Sequence, residues 1–490
     1  MGSLSFMDWV SSVKGTPAHA AGSSPLERLP TEILNRILLY VARPTTRKGW
    51  DIPHALPGEY SSRPNSLLSC LQVSHRLHDI ALFMMYRDPN VKTPKVSSIT
   101  RFFDTLEQNP DLNSLVRTFD ITRSALCGYN LTSDKLSRLP RLRDLRLSLS
   151  HVKDARMLHR LVFGLPDLEA LTLDVSCLNE KTQMLRGAFD ALPDELSSTI
   201  RSLKFIDTSG AGGLHIPGVL ESLLPRMRKL RVLDVSRTCV TVEALKSIPS
   251  SARLTHLNIW GCRDLDLDAL VEFLLSHPAA KDSLAVLKAG YIADGAPLNE
   301  RQINTFLTQA PATLRSLDLS MSNMGPSNVP HLQKLCSQLE ELSVGRNLDM
   351  YDIETMLLKP RYDFEDEYRS YPTRELTKEE AKHEAILEPM RNAIAMCRLR
   401  RRLDSVTLSD SKEGRRAGES TLRYLNLSSI PADEQGQIKQ SVLFGEETGP
   451  LEVIEVADIP WEDFGVLRRL CGAVGWREEW EDKRVWVERL

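Results

Sequence analysis

Leu314-Arg315-Ser316-Leu317-Asp318-Leu319 and, thirty residues upstream, Leu284-Ala285-Val286-Leu287-Lys288-Ala289 share one spacing, with apolar residues at the first, fourth and sixth places. The last three positions alternate as a half-buried strand does, because successive side chains leave a strand on opposite faces. The same register recurs at Val116-Phe119-Ile121, Leu142-Leu145-Leu147, Leu168-Leu171-Leu173, Ile200-Leu203-Phe205, Leu230-Leu233-Val235, Leu254-Leu257-Ile259 and Leu339-Leu342-Val344. After a break it returns at Leu403-Val406-Leu408, Leu422-Leu425-Leu427 and Leu451-Ile454-Val456. Successive starts lie 26, 26, 32, 30, 24, 30, 30 and 25 residues apart, then 64, 19 and 29. A period of this size is that of a stacked repeat built from one strand and a returning helix. A single such unit buries no closed core, whereas a stack buries a continuous one.

The intervening segments fit that plan. Apolar residues at Leu267, Leu270, Val271, Leu274 and Leu275 form one helical stripe. Pro140, Pro166, Pro225, Pro249, Pro278 and Pro311 stand ahead of the next strands, where proline ends a helix and turns the chain back. The expected fold class is α/β, with a curved parallel sheet inside and helices outside, over about twelve repeats spanning residues 100–460. At 490 residues the chain exceeds one compact core unless that core grows linearly with repeat number. The 64-residue break contains 361–388, dense in both charge signs, which reads as a charged insert on a solvated helix. Residues 461–490 hold Trp476, Trp480 and Trp486 and read as a C-terminal cap over the open end of the stack.

A different pattern precedes the repeats. In Leu26-Glu27-Arg28-Leu29-Pro30-Thr31-Glu32-Ile33-Leu34-Asn35-Arg36-Ile37-Leu38, apolar positions at 33, 34, 37, 38 and then Val41 mark one side of a helix. Pro30 fits its first turn. Leu67 to Leu77 form a second short apolar helix running into Ile80, Ala81, Phe83 and Met84. Residues 43–65 between them are rich in Pro, Gly and Ser and read as a loop insertion. Residues 1–23 are expected to be disordered.

The order L-P-x-E-I-L-x-x-I-L followed by a helix ending V-S-x-R-L resembles an F-box, here covering residues 24–90. Leu257-Asn258-Ile259-Trp260-Gly261-Cys262 resembles the cysteine-containing leucine-rich repeat found behind many F-boxes, with Cys262 structural in the turn after the strand. The resemblance implies an F-box protein with leucine-rich repeats, a substrate receptor of SCF-type cullin–RING ubiquitin ligases. Its expected partners are the Skp-family adaptor, through it a cullin, and an unidentified target protein. By the same resemblance Leu26, Leu29, Pro30, Ile33, Ile37 and Leu38 meet the adaptor, with Leu71 and Val73 from the second helix. Such a chain is not an enzyme, and its residence is cytoplasm and/or nucleus.

Composition narrows the rest. The net charge of −3, from 62 Lys and Arg against 65 Asp and Glu, argues against a general nucleic-acid surface. The run Arg398-Leu399-Arg400-Arg401-Arg402 reads as the solvated end of a helix. The eight cysteines are scattered without metal spacing and read as reduced core residues. No apolar run reaches membrane-spanning length. Phosphate-binding glycine loops, nucleophile elbows and metalloprotease motifs are missing from the sequence, so no catalytic residue, metal or cofactor is expected. His75 and His78 read as packing residues of the second helix.

The remaining candidate is the strand face opposite the buried leucines. One row across it reads Arg146, Thr172, Lys204, Asp234, Asn258, Lys288, Asp318 and Ser343, in which Lys204–Asp234 and Lys288–Asp318 can pair across neighbouring strands. Trp260, between Ser236 and Gly290 in the next row, has the makings of a binding hot spot. His256, Trp260, Lys288 and Asp318 are therefore the expected target-binding residues. The competing expectation is a repeat scaffold that holds a partner without ubiquitin transfer.

Overall fold

The computed structural model describes residues 25–26, 28–42, 66–89, 96–122, 133–148, 157, 160–161, 164–175, 199–206, 219–262, 265–290, 297–357, 420–431, 451–457, 476–481 and 484–489. The segments read as a disordered N-terminus (1–23), a loop insertion (43–65) and a charged insert (361–388) lie outside them, as do Arg398–Arg402. The chain forms two compact units, Met1–Leu254 and Thr255–Leu490.

The first unit opens with four helices, α1 (Thr31–Ala42), α2 (Ser66–Cys70), α3 (His75–Arg87) and α4 (Val96–Gln108). Leu34, Leu38, Leu67, Leu77, Ile80 and Ala81 make a small core among the first three. Pro30 stands one place before α1, its carbonyl accepting the Leu34 N–H at 3.1 Å, so it caps the helix rather than occupying its first turn. The expected second helix is two: residues 71–73 form a turn, and Ser74 restarts the chain as the N-cap of α3, its Oγ accepting the Leu77 N–H at 3.3 Å.

Aromatic rings join these helices to the first strand. Tyr86 stacks on Phe102 at 6.2 Å, and both Phe102 and Phe103 lie 5.5 Å from Phe119. Strands β1 (Thr118–Asp120), β2 (Asp144–Ser148), β3 (Ala170–Asp174), β4 (Ser202–Ile206) and β5 (Val232–Asp234) follow, each parallel to the next. Phe119, Leu145, Leu171, Leu203 and Leu233 stand in register and are buried.

In the second unit β6 (His256–Asn258), β7 (Val286–Lys288), β8 (Ser316–Asp318), β9 (Glu341–Ser343), β10 (Tyr424–Asn426) and β11 (Val453–Ala457) are again parallel neighbours in chain order. Leu257, Leu287, Leu317, Leu342, Leu425 and Ile454 line up in register and are buried. Helices Leu267–Ser276, Glu300–Thr308, Val329–Leu335 and Met350–Leu357 return the chain between strands. Pro278 ends the first of these and also starts a short helix, Pro278–Lys281, whose first turn needs no proline N–H. The fold of each unit is α/β with parallel strands, compatible with a solenoid-like stack.

β9 pairs directly with β10, Leu342 against Leu425, and the register expected at 403–408 lies outside the described residues. The end of the unit also differs from a repeat: β12 (Trp476–Glu481) and β13 (Arg484–Arg489) form an antiparallel hairpin, and β13 pairs antiparallel with β11. The β11 edge is thus hydrogen-bonded rather than open.

Candidate interaction surfaces

The first surface is on the helices of the first unit. Among the described residues the exposed large hydrophobic side chains are Leu26 (41%), Ile33 (40%), Leu39 (51%), Val73 (66%) and Ile206 (39%). Four of those five fall within residues 26–73, the stretch from the entrance of α1 to the turn before α3. Pro30 is exposed beside them, Ile37 is half-buried, and Leu29 and Leu71 rest half-buried on the small core. Leu38 departs from expectation: at 3% exposure it belongs to that core and supports the surface from beneath. Leu71 and Val73 lie in the turn between α2 and α3 rather than on a helix. Leu39 was not foreseen, although an apolar residue opposite the Leu34–Leu38 stripe was the available signal.

Two polar side chains hold this surface in shape. Arg76 Nη2 donates to the Leu29 carbonyl at 2.8 Å and to Thr31 Oγ1 at 3.2 Å, tying α3 to the entrance of α1. His78 Nδ1 bonds the Leu71 carbonyl at 2.9 Å, which fixes the turn carrying Val73. His78 is thus a packing residue with its ring nitrogen in use.

The second surface is the open sheet face of the second unit. His256, Lys288 and Asp318 sit on three consecutive strands and on the face opposite the buried leucines. His256 is exposed, with Nδ1 2.9 Å from Thr255 Oγ1; Lys288 and Asp318 are half-buried. Trp260 lies just past β6 and is half-buried. Further along the face Ser316 Oγ donates to Glu341 Oε2 at 2.6 Å and Tyr424 donates its hydroxyl to buried Glu455.

The expected cross-strand ion pairs do not form. Lys204 and Asp234 in one unit, and Lys288 and Asp318 in the other, are register partners, yet neither couple closes an ion pair. Their carboxylates serve the backbone instead. Asp234 accepts the Ser236 N–H at 3.1 Å and Asp318 that of Ser320 at 2.9 Å. Asn258 accepts the Trp260 N–H at 3.0 Å and Asn426 that of Ser428 at 2.9 Å. Such side-chain caps satisfy the N–H groups that leave the ladder at a strand end. In three of these turns the next residue is left-handed: Arg237 (φ 59°), Gly261 (φ 70°) and Met321 (φ 65°). Cys262 closes its turn with its N–H 3.2 Å from the Ile259 carbonyl and is fully buried.

Among the described residues no group of three or more His, Cys, Asp or Glu is placed to hold a metal. An open polar groove of about 470 Å³ runs between Glu300, Asn304, Ser327 and His331. Its polar groups bond one another: Ser327 N–H donates to Glu300 Oε1 at 3.0 Å, and Asn304 Nδ2 to Ser327 Oγ at 3.0 Å. Burial and neighbouring Lys334 hold the His331 imidazole below its usual range. Among the described residues no helix is long and apolar enough to cross a membrane. Comparison of the chain with protein-family models and with curated proteins finds no match.

Proposed function

We propose that this chain is the substrate-recognition subunit of an SCF-type ubiquitin ligase, its N-terminal helices an F-box on the Skp-family adaptor and its leucine-rich repeats a holder for a target protein. The observation that carries this reading is the exposure of Leu26, Ile33, Leu39 and Val73 on a short segment whose helices already share a core. A segment that closes its own core and still leaves several large apolar side chains in water suits contact with another protein. The mechanism is proximity: holding adaptor and target on one chain raises the local concentration of target lysines near the charged conjugating enzyme. The chain forms no covalent bond with its target, and a reduced intracellular compartment, cytoplasm or nucleus, suits that work.

The test is adaptor capture by the purified full chain, wild type against Ile33→Asp/Val73→Asp. Both side chains are already in solvent, so the variant is expected to melt like wild type while recovering at least tenfold less adaptor. Equal recovery, or no recovery by wild type, removes the ligase reading and leaves a repeat scaffold acting without ubiquitin transfer.

A further inference from the structure

At the entry to each strand of the first unit, one residue precedes the buried middle position by two and links to its neighbour through the backbone. Arg117 N–H donates to the Arg87 carbonyl at 2.9 Å, Arg143 to Arg117 at 2.7 Å, Glu169 to Arg143 at 2.9 Å, Arg201 to Glu169 at 2.7 Å, and Arg231 to Arg201 at 2.7 Å. The six residues therefore form one continuous row across the sheet entrance, about 24 Å long at the usual strand spacing of about 4.8 Å. Five are arginine and one is glutamate, in a chain whose 62 cationic side chains are outnumbered by 65 anionic ones. The corresponding row of the second unit, Thr255, Ala285, Arg315, Glu340, Arg423 and Glu452, is balanced, and Arg423 meets Glu452 at 3.8 Å.

The crowding has a cost. Burial, together with Arg141, Arg143 and Arg87, pulls the Arg117 guanidinium below its usual range, against the opposing pull of Asp167, and its Nη1 donates to the Arg141 carbonyl at 3.0 Å. Arg87, Arg143 and Arg201 are exposed, and none of the three closes an ion pair among the described residues. Like charges held side by side by the backbone are relieved by an anion, and guanidinium groups suit carboxylate or phosphate because each offers paired donors.

We propose that this row, Arg87, Arg117, Arg143, Arg201 and Arg231, binds a peptide segment of a partner protein that carries closely spaced anionic groups. Glu169 splits the row into two basic clusters about two strand spacings, or about 10 Å, apart. An extended peptide covers that distance in about three residues, so two anionic positions three residues apart match both clusters. A nucleic acid fits less well. Asp144 pairs with Arg146 at 3.0 Å, Asp120 and Asp88 also act on it, and these charges oppose a continuous phosphate backbone.

This surface and its occupant are independent of whether the chain joins a ligase, because the test needs no adaptor. Fluorescence anisotropy with the full chain compares four probes: an Asp/Glu-rich 12-residue peptide, its phosphoserine counterpart, a neutral scrambled peptide and a 12-nucleotide single strand. One or both anionic peptides should bind at least tenfold tighter than the neutral one, weaken as salt rises, and lose at least tenfold with Arg143→Glu/Arg201→Glu. Arg315→Glu, in the balanced row, should leave the affinity unchanged. Where the double charge reversal lowers the melting point, Arg143→Gln/Arg201→Gln provides the same comparison without reversal. Preference for the phosphorylated or the acidic peptide identifies the source of the anion. Binding that survives both double variants, equal affinity for the neutral peptide, or tighter binding of the oligonucleotide lost on the same substitutions each overturns the proposal.

Discussion

Replacing Leu317 with alanine removes a side chain that is 1% exposed and stands between Leu287 and Leu342 in the row that forms the second unit's core. Losing about three buried carbons costs about 2.4 kcal/mol at about 0.8 kcal/mol each. The cavity left behind adds to this, and the stacked strands on either side limit collapse, so the total should fall at about 3–4 kcal/mol. For a unit of this size that corresponds to a melting point lower by about 6–16 °C. Lys288→Ala, on the open face of the adjacent strand, should change stability by less than about 0.5 kcal/mol. Urea unfolding followed by circular dichroism gives the magnitude, and amide exchange gives its reach. Because the leucines share one core, protection should fall on β7 and β9 as well as on β8. A change below about 1 kcal/mol, or a loss of protection confined to 316–318, would refute a core shared between repeats.

Four further outcomes follow from single contacts. Arg76→Ala removes the bonds to Leu29 and Thr31 without touching the exposed apolar residues, so adaptor capture should weaken several-fold with α1 still folded, checked by pull-down and exchange at 31–42. Asn299→Ala breaks the reciprocal cap in which Asn299 and Gln302 each accept the other's backbone N–H at 3.0 Å, and should cost about 1 kcal/mol, read as faster exchange at 300–308. Gly290→Ala places a methyl 2.4 Å from the Ser320 carbonyl oxygen, so the backbone must move and stability should drop by about 1–3 kcal/mol in a urea titration. Burial raises the Cys336 thiol from 9.0 to about 12. The folded chain then keeps a proton that the unfolded chain releases. Stability is full below about pH 9 and falls by up to about 1.4 kcal/mol per pH unit between about 9 and 12. Cys336→Ala should remove that extra alkaline slope; an unchanged slope would count against the buried thiol as its source.

Much of the strand stack was legible because its cause is local and periodic. An apolar residue at every first, fourth and sixth place names its own burial, and the described registers from Val116 to Val456 are buried as that spacing requires. Leu38 was misplaced for a related reason. Helical spacing tells which residues share a side, but Ile33 and Leu38 stand at opposite edges of a stripe about 140° wide, so only the positions of α2 and α3 decide which edge is covered. The Lys–Asp pairs failed because sequence distance shows the neighbour across the sheet and hides the competing N–H two residues ahead. That donor is nearer and already fixed in place, so Asp234 and Asp318 turn to it.

What the sequence determined alone is whatever repeats at short range: the strand register, the returning helices and the separate apolar pattern of residues 26–41. Only the tertiary structure decided what depends on which chain segments meet: that β9 joins β10 across a long excursion, that a hairpin pairs with the β11 edge, and that five arginines spread from 87 to 231 fall into one row. Periodicity is written in spacing along the chain. Adjacency between distant residues is set by backbone hydrogen bonds between strands, which leave no mark on spacing.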